Sequence, residues 1–473
     1  MSILSKVREW LNGMVRYDTE IKKEFGVKNI TTSRMSDIVE HCFRIYEGQP
    51  DWIDGDIRTI NFAKTICSEI SRLATMNVSV TVDGSARADW LQTEVDKVQK
   101  QLRRWIEYGN AYGTLYFKPN GKSIDVLTPS KTVVTDVIGD EITGIVFVDT
   151  RFVSAENRWY TRLEYHNIKD DKYTISNRCY WSEQKQALTH KVAIEYTPWR
   201  GLSEETTVND VEHLLFGMFR TPNGNNIEPF SPLGLPIYAD AVEELKDLDI
   251  AYSRNAKEIF DSKRTVLIDS DRLMTSGTRV GVQNQQEILR QKGLPDYVRM
   301  VEGTGTGDIY HEINPTLSTD IRLKGLDAYL SQIGYKCGFS NGYFVFDQKT
   351  GMVTATQVES DDRRTLQLVN DVRESINDML DGLVYSLDKF ADAYDLAPAG
   401  DYEINYDFAD LTLNEDEDRA RWYQYVSAGF VPFEKFLVLH EGFSEDEAKE
   451  LVQQADALRL QRMAEMGAFG AEV

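Results

Sequence analysis

Nowhere in the 473 residues does an apolar run approach the ~18 residues of a membrane-spanning helix. The opening stretch MSILSKVREWLNGMV repeats its apolar residues Ile3, Leu4, Val7, Trp10 and Leu11 at helical spacing. Lys6, Arg8 and Glu9 interrupt it, which excludes the unbroken apolar core of a signal peptide. A docked amphipathic helix is expected there, in a soluble, intracellular chain with no membrane partner. Cysteine is scarce: Cys42, Cys67, Cys179 and Cys337 stand far apart, with neither CxxC nor zinc-ligand spacing. A disulfide framework and a metal site are both excluded on that pattern, and a reducing compartment is expected. Six histidines leave little scope for general-base chemistry, and no cofactor motif is present. Positive charge is the most telling deficit. Lys and Arg total 53 against 76 Asp and Glu, a formal charge of −23. A protein that grips the phosphate backbone over a broad face needs the opposite balance, and solubility is the usual explanation of an acidic charge.

What is present reads as a mixed α+β chain. Apolar residues at 57, 60, 66, 70 and 73 predict a helix over Ile57 to Leu73, and a second is predicted over Ala88 to Tyr108. Asn77 to Val82 alternates like a strand between them. From Tyr112 the period changes to two. TLYFK, Asn120-Gly121 and KSIDVL predict a hairpin. Strands at Ile142 to Asp149, Tyr160 to Ile168, Tyr173 to Trp181 and Lys191 to Tyr196 extend a β-rich region to about Arg220. TPNGNNIEPFSPLGLP, with four prolines, stops the sheet. It should launch a helix with Pro236 near its first position. Ile237, Ala241, Leu245, Leu248, Tyr252 and Ile259 mark one face of that helix to about Asp261. Acids in its first half and bases in its second complement the helix dipole. Short strands follow, beginning with TVLID, then a helix near Ser318 to Lys336. After the loop GFSNGYFVFDQKTG comes the longest helix, opening at Thr354 or Thr356, where two capping boxes overlap. Its stripe runs from Val369 through Val372, Ile376, Met379, Leu383, Leu387 and Phe390 to Tyr394, with Gly382 a candidate bend. A strand at Tyr402 to Phe408 and an acidic helical tail complete the chain. In the tail, Ser444-Glu445-Asp446-Glu447 is a further capping box.

Sites of chemistry are hard to find. Gly338-Phe339-Ser340-Asn341-Gly342 matches the G-x-S-x-G nucleophile elbow, and a serine hydrolase acting through Ser340 is the enzyme alternative. That motif needs a strand-to-helix turn, and here a helix precedes it. Gly121-Lys122-Ser123 lacks the glycine a phosphate loop requires five residues earlier, where Tyr116 stands. The run Gly303 to Gly307 has no following helix. His311-Glu312 has Pro315 where a second zinc-binding histidine belongs. Glu415 to Asp418 suits a helix N-terminus better than a metal. The expectation is therefore of no catalytic residues, no metal and no cofactor: not an enzyme.

The order of parts carries a resemblance. A β-rich region ends in Ser231-Pro232-Leu233-Gly234-Leu235-Pro236 and a long helix. A small insertion, a second helix, a Gly/aromatic loop, a very long Thr-Ala-Thr helix and the acidic tail with Ser427-Ala428-Gly429-Phe430-Val431-Pro432 follow. From about residue 30 onward this resembles tailed-bacteriophage portal proteins, the siphophage type of Gram-positive hosts. The resemblance implies a β-rich wing at 1–231, with a return of long helix and strand at 356–411. It implies a two-helix stem at 232–262 and 316–337, a small α/β clip at 263–315, a tunnel loop at 338–355 and a helical crown at 412–473. Such proteins form rings, usually of twelve copies, at one capsid vertex of the virion. They assemble in the host cytoplasm with major capsid and scaffolding proteins. The large terminase subunit docks on the clip during packaging, the head–tail adaptor replaces it afterwards, and double-stranded DNA passes through the axial channel for packaging and ejection. The implied DNA-facing residues are Asn341, Tyr343, Phe344, Phe346, Asp347, Gln348 and Lys349. Another scaffold or tail protein of the virion is the structural alternative.

Overall fold

The computed structural model describes residues 17–121, 123–169, 172–185, 187–209, 211–262, 265–269, 298–301, 310–313, 318–345, 355–408, 415–444, 447–455 and 457–458. Helix and strand are mixed throughout, as an α+β chain requires. Two compact units divide it, Met1–Phe408 and Ala409–Val473.

The predicted hairpin is present. Strands β2 (Thr114–Pro119) and β3 (Ile124–Leu127) pair antiparallel, with Pro119 opposite Ile124. Four residues connect them rather than two. Gly121 alone of Asn-Gly takes a positive φ, 86°, and Asn120 N–H donates to Ser123 O. The β-rich region is larger than its sequence pattern suggests. A six-stranded sheet runs β4 (Thr132–Ile138), β5 (Glu141–Val153), β6 (Arg158–Lys169), β7 (Lys172–Ser182), β8 (His190–Val192), with β9 (Glu205–Val208) also on β7. Alternation divides its side chains between two cores. Helix α1 (17–25) covers one face, where Tyr17 and Ile21 meet Val133, Val146, Leu163 and Tyr180. On the other face Ile145, Phe147 and Tyr173 pack with Tyr116, Phe216 and Met35 of α2 (Ser33–Tyr46).

Three helices differ from the sequence expectation, each for a packing reason. The helix expected from Ile57 starts at Phe62 as α3 (Phe62–Ala74), because residues 58 and 60 spend their N–H groups on another element, described below. The expected Ala88 to Tyr108 helix is two, α4 (Ala86–Gln99) and α5 (Leu102–Tyr112). Helix α4 packs on β1 (Ser79–Asp83), while α5 packs on α3 and β2, and one straight rod cannot reach both. Gln92 of α4 closes the edge of β1, accepting from Val82 N–H at 2.7 Å and donating to Val80 O at 3.1 Å. The third correction concerns Pro236. Residues 233–238 thread the core as irregular chain: Ile237 N–H donates to Asn110 O, and the buried Tyr238 hydroxyl donates to Cys42 O. The helix, α6, therefore begins at Val242 and ends at Asp261, after a short 3-10 turn over Ala239–Ala241.

Between α6 and α7 (Thr319–Lys336) the described residues form a three-stranded sheet. Strand β11 (Thr265–Asp269) pairs parallel with β12 (Val298–Val301) and antiparallel with β13 (Tyr310–Ile313). The Gly303 to Gly307 run lies outside the described residues.

Helix α8 spans Ala355–Tyr394, 40 residues, and its stripe from Val369 to Leu387 is buried. Gly382 is a crossing point rather than a bend. Strand β10 (Gly217–Arg220) runs against α8 there, and a Cβ on Gly217 would lie 2.2 Å from Met379 O. Strand β14 (Glu403–Asp407) returns to pair with β1. Arg87, 1% exposed, secures this return. Its guanidinium donates to the carbonyls of Asp388, Ala397 and Pro398 and ion-pairs with the carboxylates of Asp388 (3.0 Å) and Asp392 (2.6 Å). A cation among carbonyls at a helix C-terminus also meets the negative end of the dipole. Breaking a buried pair from one side costs about 3–5 kcal/mol, so Arg87→Ala should lower unfolding stability by roughly the lower figure, since Asp392 stays half exposed. Urea denaturation of the purified chain checks this; a loss under about 1 kcal/mol would show the clamp to be dispensable.

In the second unit, α9 (Glu415–Ser427) places Glu415 to Asp418 in its first turn, and α10 (Phe433–Glu441) follows. The capping box is formed: Ser444 Oγ–H and N–H both donate to Glu447 Oε2, and Glu447 N–H donates to Ser444 Oγ.

Candidate functional site

Helices α6 and α7 form an antiparallel pair. At one end Lys336 Nζ meets Glu244 Oε1 at 2.6 Å and donates to Asp240 O at 2.9 Å. At the other, Glu258 pairs with Arg322 and accepts from Ser318 N–H. The two halves of the pair differ sharply. Near the first end Ala241, Leu245, Leu248, Leu330 and Ile333 are buried. Toward the far end Ile259 is 52%, Phe260 68% and Ile321 74% exposed. Tyr252 and Leu323 are exposed as well. The stripe predicted along α6 is thus a core for half its length and an open apolar surface for the rest.

A strap from the N-terminal region braces α6. Asp249, Ser253 and Lys257, each four residues apart, share one face. Asp249 accepts from Ile60 N–H and Trp52 Nε1–H, both at 2.9 Å. Ser253 Oγ accepts from Arg58 N–H, and Lys257 Nζ donates to Asp56 at 2.7 Å. Burial pushes the Asp249 carboxyl up from its ordinary value, against the donors that favour its charge. Sequence reading missed this strap. The signal was the polar triplet at i, i+4, i+8, which continues the row of Ala241 and Leu245 along the helix.

The glycine-aromatic loop opens from the C-terminus of α7. Gly338 at φ 95° turns the chain, and Phe339 is fully buried. Ser340 is 4% exposed. Its Oγ lies 3.0 Å from Thr365 Oγ1, and Ser340 N–H donates to that same hydroxyl at 2.9 Å, which stitches the loop to α8. A serine so placed is a structural tie, with no strand-to-helix elbow around it. Tyr343 and Phe344 are partly buried. The Tyr343 hydroxyl donates to Glu69 Oε1 of α3 at 2.5 Å, and Glu69 receives a two-pronged ion pair from Arg72. That Arg72 bond holds the Glu69 carboxyl below its usual range, while burial raises the Tyr343 phenol. Phe344 meets Phe62 edge-on at 5.0 Å and Phe339 at 4.7 Å. Gly334 leaves the room: a Cβ there would sit 3.1 Å from the Phe344 ring. Arg364 of α8 covers the Tyr335 ring at 3.8 Å and donates to Tyr335 O.

Of the seven loop residues named from sequence, the structure thus brings Tyr343 and Phe344 together against α3. Asn341 is exposed. Phe346, Asp347, Gln348 and Lys349 lie outside the described residues. Among the described residues no cluster of His, Cys, Asp or Glu could hold a metal ion.

Set beside known families, residues 59–461 match the family model described as phage portal protein, SPP1 Gp6-like. This chain belongs to that phage portal protein family. No curated protein matches the chain. Portal proteins are structural rather than enzymatic components of the virion, which agrees with the buried, tied Ser340. No helix among the described residues is long and apolar enough to cross a membrane.

Proposed function

We propose that this portal-family chain is the ring-forming subunit at one capsid vertex, and that the α6–α7 pair is the wall of its channel. The observation that carries the reading is the far half of that pair, where Ile259, Phe260 and Ile321 face solvent in a single copy. Large apolar side chains left exposed at one end of a helix pair mark a protein contact. In a cyclic assembly each subunit presents two different faces, so every copy covers its neighbour's. The parts follow the family plan. The wing is 1–231 with the return at 356–411. The stem is 232–262 and 316–337, the clip 263–315, the tunnel loop 338–355 and the crown 412–473.

In this reading about twelve copies close the ring, as in a siphophage of a Gram-positive host. The large terminase subunit and then the head–tail adaptor dock on the clip. Major capsid and scaffolding proteins surround the wing during assembly in the host cytoplasm. DNA passes along the axis for packaging and ejection. An acidic chain of net charge −23 suits a conduit that must not hold its cargo. The loop has two roles. Tyr343 and Phe344 root it on α3, and the stretch Phe346, Asp347, Gln348 and Lys349 reaches the DNA, with Asn341 beside it. Gln348 and Lys349 bring donors for phosphate oxygens. The chain performs no catalysis; its work is geometry and motion.

Gold-labelled antibody against the chain, applied to opened virions, tests this placement. Label at one vertex per head, at the tail junction, is expected. Label spread over the shell or along the tail would instead identify a scaffold or tail component.

A further inference from the structure

Against its acidic average, the chain concentrates positive charge at one corner. Lys97, Lys100, Arg103 and Arg104 fall within eight residues that contain no acid. All four are exposed where α4 ends and α5 begins. Lys97 pairs with Glu94, but among the described residues no carboxylate lies within 4.0 Å of Lys100, Arg103 or Arg104. These three rim a hollow of about 530 Å³, lined also by Thr75, Val78, Gln99 and a single acid, Glu107. Arg104 lies over the rings of Trp105 at 4.8 Å and Tyr108 at 5.7 Å. Arginine on Trp and Tyr is the composition of a protein-binding hot spot.

A counterpart of opposite sign runs along α8. Asp371, Glu374, Asp378 and Asp381 recur at intervals of three and four, so they form one ridge on the face opposite the buried stripe. Asp381 accepts a hydrogen bond from the Tyr406 hydroxyl, and Arg220 acts on Asp378 from a distance. No cation lies within 4.0 Å of Asp371, Glu374 or Asp378 among the described residues. The buried side of α8 packs on β10, β2, α3 and α4, and the basic corner adjoins the C-terminal end of α3 at Thr75. Patch and ridge are separate surfaces of one subunit, the first built by the α4–α5 connection and the second by the exposed face of α8. Two unlike, complementary surfaces on one chain are what a head-to-tail contact between copies requires.

We infer that the basic corner of Lys100, Arg103 and Arg104 docks on the acidic ridge of α8 in a second copy of this chain. This contact sets the order of subunits around the ring, and it rests on the ring reading above. Close charge pairs across an interface contribute to affinity and suppress wrong orientations.

The test compares four full-length proteins in about 0.1 M salt, where exposed charges still act over roughly 10 Å. They are the wild type, Arg103→Glu with Arg104→Glu, Asp371→Lys with Glu374→Lys, and the combination of all four changes. Sedimentation reads ring against free subunit, and thermal melting of the free subunit confirms the fold. Each reversal alone should raise the concentration needed for half assembly by about tenfold or more, and the combination should restore most of it. Unchanged assembly in either single reversal overturns the inference, as does a combination no better than the two losses together. Intact rings with lost DNase-protected DNA would assign the patch to nucleic acid and also overturn it. A wild type that never forms rings refutes the ring reading itself, which the reversals alone would not.

Discussion

Glutamate at Ile259, Phe260 and Ile321 should abolish ring formation and leave the subunit folded. All three side chains stand more than half exposed in the single copy. Their replacement there should change subunit stability by no more than about 0.5 kcal/mol per site. In the ring they are to be buried, and each large apolar side chain then contributes roughly 2 kcal/mol. Losing three of them removes about 6 kcal/mol from each contact, a weakening of about 10⁴-fold. Placing three carboxylates in the same contact adds their desolvation to the loss. Sedimentation at micromolar concentration should show free subunits that melt like the wild type. Rings of unchanged yield would show this surface to be open in the assembly, and unfolded variants would show it to belong to the subunit's own core.

The second large effect is expected in the loop. Replacing Phe346 to Lys349 by Gly and Ser, with Tyr343 and Phe344 retained, should leave ring yield and melting near those of the wild type. DNA protected from nuclease in the heads should then fall severalfold or more, because the donors that meet phosphate oxygens are gone. Phe344→Ala should behave in the opposite manner. It removes a partly buried ring packed on Phe62 and Phe339, and since truncation of a fully buried Phe costs about 3 kcal/mol or more, a loss of roughly 2 kcal/mol is expected here. Its expected signature is lower melting, with packaging lost only as far as folding is lost. Normal DNA protection in the four-residue replacement would refute the functional role of the stretch, and scarce rings would move it into the fold.

This division of the loop shows where sequence reading succeeds and where it ends. Three glycines and four aromatics between two helices marked the segment, since no solvent loop needs Tyr343, Phe344 and Phe346 together. Which aromatic roots the loop was illegible: it depends on Glu69 and Phe62, some 275 residues earlier. Features set by local chemistry read well. The Ser444–Glu447 box, the 40-residue α8 and the β2–β3 hairpin, though not its turn length, each follow from residues close to one another in sequence. Features set by distant contact did not. Gly217 and Gly382 are needed at one crossing of strand and helix, and neither alone signals it. Pro236 looked like a helix start because its missing N–H suits that position. Tertiary bonds from Ile237 and Tyr238 instead keep the chain irregular until Ala239. Nothing near Arg87 in the sequence signals that its guanidinium is buried among α8 and the chain after it.

The most direct measurement on the central claim is electron microscopy of the purified full-length chain with its mass in solution. Class averages should show closed rings of one subunit number, about twelve, around a stain-filled axial channel, and the mass should equal that number of 54.1 kDa chains. A population of monomers and dimers alone, or open tubes and sheets without closure, would contradict it.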